Sequence, residues 1–146
     1  KTQTELWERK MRLEDGVHAA RAAQAEGIVP GGGTAFLRLI PKVNESMAAL
    51  SDEEQMGVRA VARALEAPGR QIAENVGQDG SYMVQKLMGM APEMGYDAAE
   101  DCVCPMVDSG IIDPVRVVRT SLESALSVAA TILTVQASVV GGVERV

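Results

Sequence analysis

The stretch EGIVPGGGTAFLRLIP, residues 26–41, separates two helical segments and decides the fold class. Gly27 is a natural end for the helix that precedes it, and the three glycines at 31–33 break the chain before the next one. Apolar residues return from Thr34 to Ile40, and Pro41 is expected to end or kink this segment because it lacks a backbone donor. The stretch predicts helices joined by glycine and proline turns.

One long amphipathic helix is predicted before this break. Thr2 and Glu5 form a capping box, and Leu6, Leu13 and Val17 follow at helical spacing as far as Gly27. A helix of roughly 24 residues would be about 36 Å long. Its other side has a polar stripe of Glu5, Glu8, Arg12 and Asp15.

Capping and breaking residues predict the shorter elements that follow. Ser51 and Glu54 form a second capping box, which starts a helix that Ala67-Pro68 should interrupt. The remaining expectations are a connector over residues 44–50, helices over 68–76 and 81–87, and a small β-hairpin over 96–107.

The final helix is predicted to be the longest element of the core. Asp113 should be its N-cap and Pro114 its first residue, followed by apolar residues at helical spacing. Ala125–Val140 is the most apolar stretch, but it is shorter than the ~20 residues of a membrane span and includes polar side chains, so a buried helix is expected. The fold class predicted is mainly α, multihelical, with one small β-hairpin.

Composition argues against an all-β fold and against a nucleic-acid partner. The 146 residues suffice for one compact domain, and aromatic residues make up only 3%, which disfavours an all-β sandwich. A net charge of -6 without a basic run makes nucleic acid a poor partner. The first residue is Lys1 and no signal peptide follows, so the chain is expected to be a piece of a longer protein.

Pattern alone leaves the chemical role of three features open. The glycines at 31–33 could let backbone amides approach a phosphate or ribose, or could form a plain turn. Asp15 could polarise a water or help hold a metal-bound phosphate, or could be a solvated acid near Arg12. Asp113 could bind a ribose hydroxyl as well as cap its helix.

The cysteines and the histidine give no strong functional signal. Cys102 and Cys104, with one histidine in the chain, cannot supply four zinc ligands. Nearby acids oppose a reactive thiolate, so a redox role is disfavoured. His18 is expected at the surface.

Five segments, in order, resemble GroEL-like group I chaperonins: RLEDGVHAARAA at 12–23, EGIVPGGG at 26–33, ALEAPGRQI at 64–72, MGYDAA at 94–99 and SGIIDP at 109–114. The resemblance extends from about Thr4 to about Ser138. It implies that residues 1–26 are a helix of the intermediate domain and that residues 27–146 are the C-terminal half of the equatorial ATP-binding domain. It also implies that these residues do not include the apical domain.

The resemblance also implies a nucleotide site. Asp15 matches the carboxylate that activates the hydrolytic water, and Gly32 matches a glycine that contacts the nucleotide. The other matching residues are Asp97, Ala98 and Ala99 on the adenine side, Asp113 at the ribose, and Ile111 packed against the base. The family usually has Asn where this chain has Asp97, and an aspartate cannot donate the amide hydrogen bond.

For the full-length protein, the resemblance implies ATP with Mg and K as cofactors, and other subunits of a homo-oligomeric ring, a GroES-like co-chaperonin and unfolded proteins as partners. The location would be a bacterial cytoplasm or an organellar matrix, with no nucleic acid or membrane partner. The family's phosphate-binding loop and metal-binding acid lie in its N-terminal half, so this chain alone is expected to bind ATP very weakly and hydrolyse none. The alternative is an isolated helical module that self-associates without nucleotide.

Overall fold

The computed structural model describes residues 2–137. Within this range there are six α-helices, namely α1 Gln3–Glu26, α2 Thr34–Glu45, α3 Asp52–Ala64, α4 Ala67–Asn75, α5 Gly80–Met88 and α6 Val115–Thr134. A short 3-10 helix, Ser46–Ala49, follows α2. The strands are β1 Ile28–Pro30, β2 Met94–Asp97, β3 Cys102–Pro105 and β4 Ile112–Pro114. The mainly helical fold class is confirmed.

Both predicted capping boxes form. The Thr2 hydroxyl accepts from the backbone N–H of Glu5, whose carboxylate accepts from the backbone N–H of Thr2 at 3.0 Å. Ser51 and Glu54 make the same reciprocal contacts at the start of α3. Gly27 ends α1 with φ 87°, a backbone conformation that side chains disfavour.

The core lies between α2, α3, α4, α5 and the β2–β3 hairpin. Its fully buried side chains include Leu37 on α2, Ala73 on α4 and Met106 after β3. The core is mostly aliphatic, with Tyr96 as its buried aromatic residue in the described chain. This cluster fixes the hairpin against the start of α2.

Pro41 was expected to end or kink its helix; the end is wrong, and the kink stays a prediction. Helix α2 continues to Glu45, four residues further. Pro41 removes one backbone donor, but Leu37 and Ile40 on the preceding turn are buried in the core and hold the helix in place. Tertiary packing outweighs the local cost.

The hairpin β2–β3 is confirmed, with Tyr96 opposite Val103 and Asp97 opposite Cys102. A second antiparallel pair, β1–β4, was not predicted. Its register sets Val29 opposite Asp113. Each strand has three residues, too short for a sequence alternation to be recognised.

The expectation that Asp113 is the N-cap of the last helix is wrong, and the unpredicted β1–β4 pairing is the reason. Because β4 pairs with β1, Asp113 lies inside the strand and the helix begins one residue later than expected, at Val115. The N-cap position belongs to Pro114, which makes no side-chain cap hydrogen bond.

The expectation of a buried final helix is also wrong. None of the described residues of α6 is buried, and Ile132 and Leu133 are 64% and 85% exposed. The apolar periodicity of α6 predicts a helix face that packs against other apolar residues, but it does not tell whether those residues belong to this chain. The end of the predicted helix, residues 138–140, lies outside the described residues. No described helix has the length and hydropathy to cross a membrane.

Candidate functional site

The glycine turn between β1 and α2 is the centre of the candidate site. The backbone N–H of Gly31 donates to the carbonyl of Ile111 at 2.9 Å, which joins the turn to the loop before β4. Gly32 and Gly33 have φ 63° and 75°, the left-handed region that glycine tolerates. Within residues 2–137 the amides of Gly32 and Gly33 make no backbone hydrogen bond. Gly33 is buried against Gly69 of α4, whereas Gly32 is half-buried, so the Gly32 amide is the donor nearer to solvent.

The hairpin contacts the same turn. A Cβ placed on Gly32 would lie 2.8 Å from the Met106 side chain and 3.4 Å from the carbonyl oxygen of Tyr96. A Cβ on Gly95 would lie 2.3 Å from the hydroxyl of Thr34, the first residue of α2. The side chains of Met106 and Thr34 therefore occupy the space that a Cβ at Gly32 or Gly95 would need. The contact at Tyr96 sets Asp97 one residue from the turn.

Asp97 organises the hairpin turn. Its Oδ1 accepts hydrogen bonds from the backbone N–H groups of Ala99 at 2.8 Å and Glu100 at 3.3 Å. An asparagine carbonyl could accept the same two bonds, so the replacement of the usual Asn preserves this acceptor role. Compared with asparagine, the aspartate adds a negative charge and lacks the amide donor. Ala98 is half-buried against the core, and Ala99 is exposed.

Ile111 and Asp113 approach the turn from the other side. Ile111 packs against Gly31, where a Cβ would come within 3.3 Å of its side chain. Asp113 lies opposite Val29 in the short sheet and is half-buried, and burial raises the pKa of its carboxyl. Of the seven predicted site residues, Gly32 lies in the turn, Ile111 contacts the adjacent Gly31, and Asp97 follows Tyr96, which contacts Gly32. Asp113 lies two residues after Ile111 on the strand paired with β1, and Ala98 and Ala99 follow Asp97 in the hairpin turn.

Asp15 is the predicted residue that the structure does not bring to this cluster. It is exposed on α1 and lines a groove of about 870 Å³ between α1 and α6, together with His18, Arg116 and Thr120. It precedes Gly27 by twelve residues, a separation of about 18 Å along a helix.

Arg119 joins the end of α1 to α6. Its guanidinium donates to both carboxylate oxygens of Glu26, at 2.9 and 3.2 Å, and also to Glu123. The hydrogen bond from Arg119 lowers the pKa of Glu26. This exposed cluster fixes the direction in which α1 leaves the rest of the chain.

A buried tyrosine forms a second network beside the hairpin turn. Tyr96 donates from its hydroxyl to Asp101 at 2.6 Å, and Gln78 donates to both oxygens of the same carboxylate at 3.0 and 2.9 Å. The bond to Asp101 and burial raise the pKa of Tyr96 to about 12. Sequence reasoning missed this network because its members come from separate elements.

The cysteines lie on β3, as expected, and both are free thiols. Loss of hydration raises the pKa of the Cys102 thiol, and Cys104 and Asp97 raise it further. This environment disfavours a reactive thiolate, in agreement with the sequence expectation.

Comparisons with known proteins bear on the family and the fold of this chain. The sequence model of the TCP-1/cpn60 chaperonin family matches residues 1–142. Among solved structures, the chain is similar to a group III chaperonin in the open state, at 32% sequence identity and a TM-score of 0.75. That match covers 81% of this chain and 25% of the other, so this chain spans a quarter of that relative's length.

The similarity to a group III protein does not confirm the group I assignment, which stays a prediction. The family itself does not depend on the group. Since the family match includes all but the last four of the 146 residues, the chain belongs to the TCP-1/cpn60 chaperonin family.

Proposed function

We propose that this chain supplies one side of the ATP site, and part of the ring-assembly surface, of a protein-folding chaperonin subunit. Family membership and the fold support this proposal. The activity belongs to the complete subunit, of which this chain would be the C-terminal part: the end of the intermediate domain and the C-terminal half of the equatorial domain.

The observation that carries the proposal is the convergence of two separate segments on the glycine turn. The segment at Ile111 accepts the Gly31 amide, and the hairpin backbone at Tyr96 lies against Gly32. Three residues that resemble nucleotide-contacting positions, Gly32, Ile111 and Asp97, therefore lie at or next to the contacts of this turn. The amide of Gly32, which is half-buried near a helix start and makes no backbone hydrogen bond, fits an oxygen-rich anionic ligand.

The residues around the glycine turn suit a nucleotide better than they suit a metal ion. Among residues 2–137 no three carboxylate, thiol or imidazole groups come together to hold an ion. If Mg²⁺ and K⁺ are present in the complete subunit, their ligands come from ATP and from other parts of that subunit. Asp97, Ala98, Ala99 and Ile111 would contact the base, and Asp113 the ribose.

Asp15 would act on the hydrolytic water. Because it is distant from the glycine turn along α1, the helix has to reorient about its end at Gly27 for the carboxylate to reach the nucleotide. Glu26 and Arg119 at that end are the contacts that such a movement would strain.

The finer assignments rest on the resemblance alone. They are a GroEL-like group I protein, a homo-oligomeric ring, a GroES-like co-chaperonin, unfolded proteins as clients, and a cytoplasmic or organellar location. Sedimentation of the complete subunit would report the ring. A coupled refolding assay with and without a GroES-like protein would distinguish a group I protein from one that needs no co-chaperonin.

A nucleotide titration tests the proposal. Calorimetry should show weak or no ATP binding to this chain alone and saturable binding to the complete subunit, with adenosine diphosphate as a second ligand. Gln55→Ala, a change on the distant helix α3, serves as a matched control that should bind like the unmodified subunit. Absence of binding to the folded complete subunit would overturn the nucleotide role.

The second candidate function is self-association through α6, without nucleotide. The exposed Leu126, Ile132 and Leu133 on that helix favour it. Light scattering of this chain over a range of concentrations, with Leu133→Gln for comparison, would detect it. A monomer at all concentrations would exclude this function.

A further inference from the structure

We propose that Arg38 is a positioning residue for the nucleotide site, holding the β2–β3 hairpin at a fixed place relative to the glycine turn. This inference rests on the proposed ATP-binding function. Arg38 is not among the site residues that the sequence predicts.

The Arg38 guanidinium reaches five backbone carbonyls in one loop. Nε donates to Pro92 at 3.2 Å, Nη1 to Leu87 and Met90 at 3.1 and 3.3 Å, and Nη2 to Ala91 and Met94 at 2.8 and 3.0 Å. A guanidinium has five N–H donors in a rigid plane, so its full donor capacity is used. The contact orders the backbone from the last turn of α5 to the first residue of β2.

These bonds connect the two sides of the candidate site. Arg38 is six residues after Gly32 on the helix that the glycine turn begins. Met94 is the first residue of the strand that includes Tyr96 and Asp97. The side chain therefore joins the helix of the turn directly to the entry of the hairpin.

The loop has few other means of holding this shape. It contains Gly89 and Pro92. Two of its backbone hydrogen bonds are short-range, from Met90 to Leu87 and from Met94 to Ala91, and a long-range bond of 3.0 Å is donated by the N–H of Met106 to Glu93, at the end of the loop. Without Arg38, the carbonyl groups at positions 87–94 would lose a shared donor, and the loop would gain conformational freedom. Ligand contacts tolerate displacements of only about 0.5 Å before affinity falls.

The hairpin itself does not need Arg38 in order to form. Strands β2 and β3 pair through their own ladder, and Gly95 packs on Thr34 independently of the guanidinium. Loss of Arg38 should therefore displace Asp97–Ala99 relative to Gly32 while the fold persists. The result would be weaker binding of the base and ribose, with little effect on the phosphate chemistry.

The test uses the complete subunit with Arg38→Ala and Arg38→Lys. A lysine retains the charge but cannot span five carbonyls, so both variants should bind nucleotide more weakly, by about tenfold or more. Turnover at saturating ATP should stay close to the unmodified value, because an interaction made equally in the ground and transition states alters KM and leaves kcat unchanged. Arg63→Ala is the matched control, because it removes an exposed arginine from a different helix, α3.

Chemical rescue separates positioning from general stability. Guanidinium at a low, non-denaturing concentration should restore much of the nucleotide affinity of Arg38→Ala, whereas ammonium chloride at equal ionic strength should not. If Arg38→Ala does not fold, Arg38→Lys decides the question.

The proposal is overturned if the folded variants bind ATP like the unmodified subunit, if kcat falls and KM is unchanged, or if guanidinium does not restore affinity. If the unmodified, folded subunit binds no nucleotide, the proposed function has failed instead. Circular dichroism of every variant identifies which are folded.

Discussion

The hydroxyl of the buried Tyr96 donates a hydrogen bond of 2.6 Å to Asp101, across the turn of the β2–β3 hairpin. Asp101 has a left-handed φ of 50°, unusual for a residue other than glycine, and the bonds from Tyr96 and Gln78 hold it there. The network lies directly beside Asp97, whose carboxylate closes the same turn. It supports the neighbouring segment Asp97–Ala99, for which we propose a contact with the adenine.

The first prediction concerns this bond. Tyr96→Phe should lower the stability of the chain at neutral pH, because Asp101 loses a donor while the ring stays buried. The raised pKa of Tyr96 means that its bond stabilises the fold fully below the usual tyrosine value of 10.0 and that this contribution is lost as pH rises through about 12. Urea unfolding of both proteins as a function of pH measures the difference.

The absorbance of the phenolate gives the control. Tyr96→Phe should remove a titration step near pH 12, and Asp101→Asn should move that step downward in the protein that retains Tyr96. A difference in stability that persisted unchanged at the alkaline limit would contradict the assigned bond.

Local signals predicted most of the fold. Thr2 and Ser51 mark helix starts through contacts within four residues, which a sequence displays directly. Pro41 and Asp113 were misjudged, because burial around Leu37 and pairing with Val29 are long-range interactions that local pattern does not contain. The exposure of Leu133 is likewise a matter of long-range packing, which the local periodicity of α6 does not contain.

The candidate site was predictable only through resemblance. A run of glycines and a lone Asp113 have commoner structural explanations, and the structure shows packing reasons for Gly32 as well. Arg38 had one visible signal, as the single charged residue within the apolar stretch Thr34–Ile40. Its five carbonyl partners lie about fifty residues away in sequence, which pattern analysis does not reach.

The second prediction concerns the buried charge of Asp113. Burial raises the pKa of this carboxyl, so ionisation at neutral pH destabilises the folded chain. Asp113→Asn should therefore raise the thermal midpoint at pH 7 while weakening nucleotide binding by the complete subunit. The gain in stability should shrink as pH falls toward the usual carboxyl value of 3.8, where both states become protonated.

Glu100→Gln, an exposed carboxylate on the hairpin turn, is the control for a general effect of net charge. An equal gain from that variant, or a gain from Asp113→Asn that grew at acid pH, would contradict the burial explanation. A stabilised variant with unchanged nucleotide affinity would remove Asp113 from the proposed site.

The third prediction compares three glycines that share a positive φ. Gly77→Ala meets no atom within 4 Å and should cost only the left-handed strain, about 1–2 kcal/mol. Gly32→Ala should cost slightly more, since its new Cβ meets the flexible end of Met106. Gly33→Ala should cost most, because its Cβ would lie 2.6 Å from the backbone nitrogen of Gly69, which cannot move aside.

Urea unfolding of the three variants gives the order. If Gly33→Ala were no worse than Gly77→Ala, the close approach of α2 and α4 at this point would be wrong. Met106→Ala combined with Gly32→Ala should recover the part of the loss that arises from the clash, although it also creates a cavity.

The last prediction concerns Asp15 as the hydrolytic carboxylate of the complete subunit. Asp15→Ala should leave nucleotide affinity nearly unchanged, because the residue lies in a different groove from the glycine turn and its contact with the water forms only after α1 reorients. Removal of a general base or water-positioning group costs on the order of a hundredfold or more in rate. A fall in kcat without a fall in affinity is typical of an interaction made mainly in the transition state.

Glu14→Ala, which removes the neighbouring exposed acid on α1, should retain normal turnover. Steady-state hydrolysis and equilibrium binding on both variants decide the matter. If Asp15→Ala kept near-normal turnover, Asp15 would be a solvated acid of an exposed helix and the catalytic group would have to come from elsewhere in the subunit.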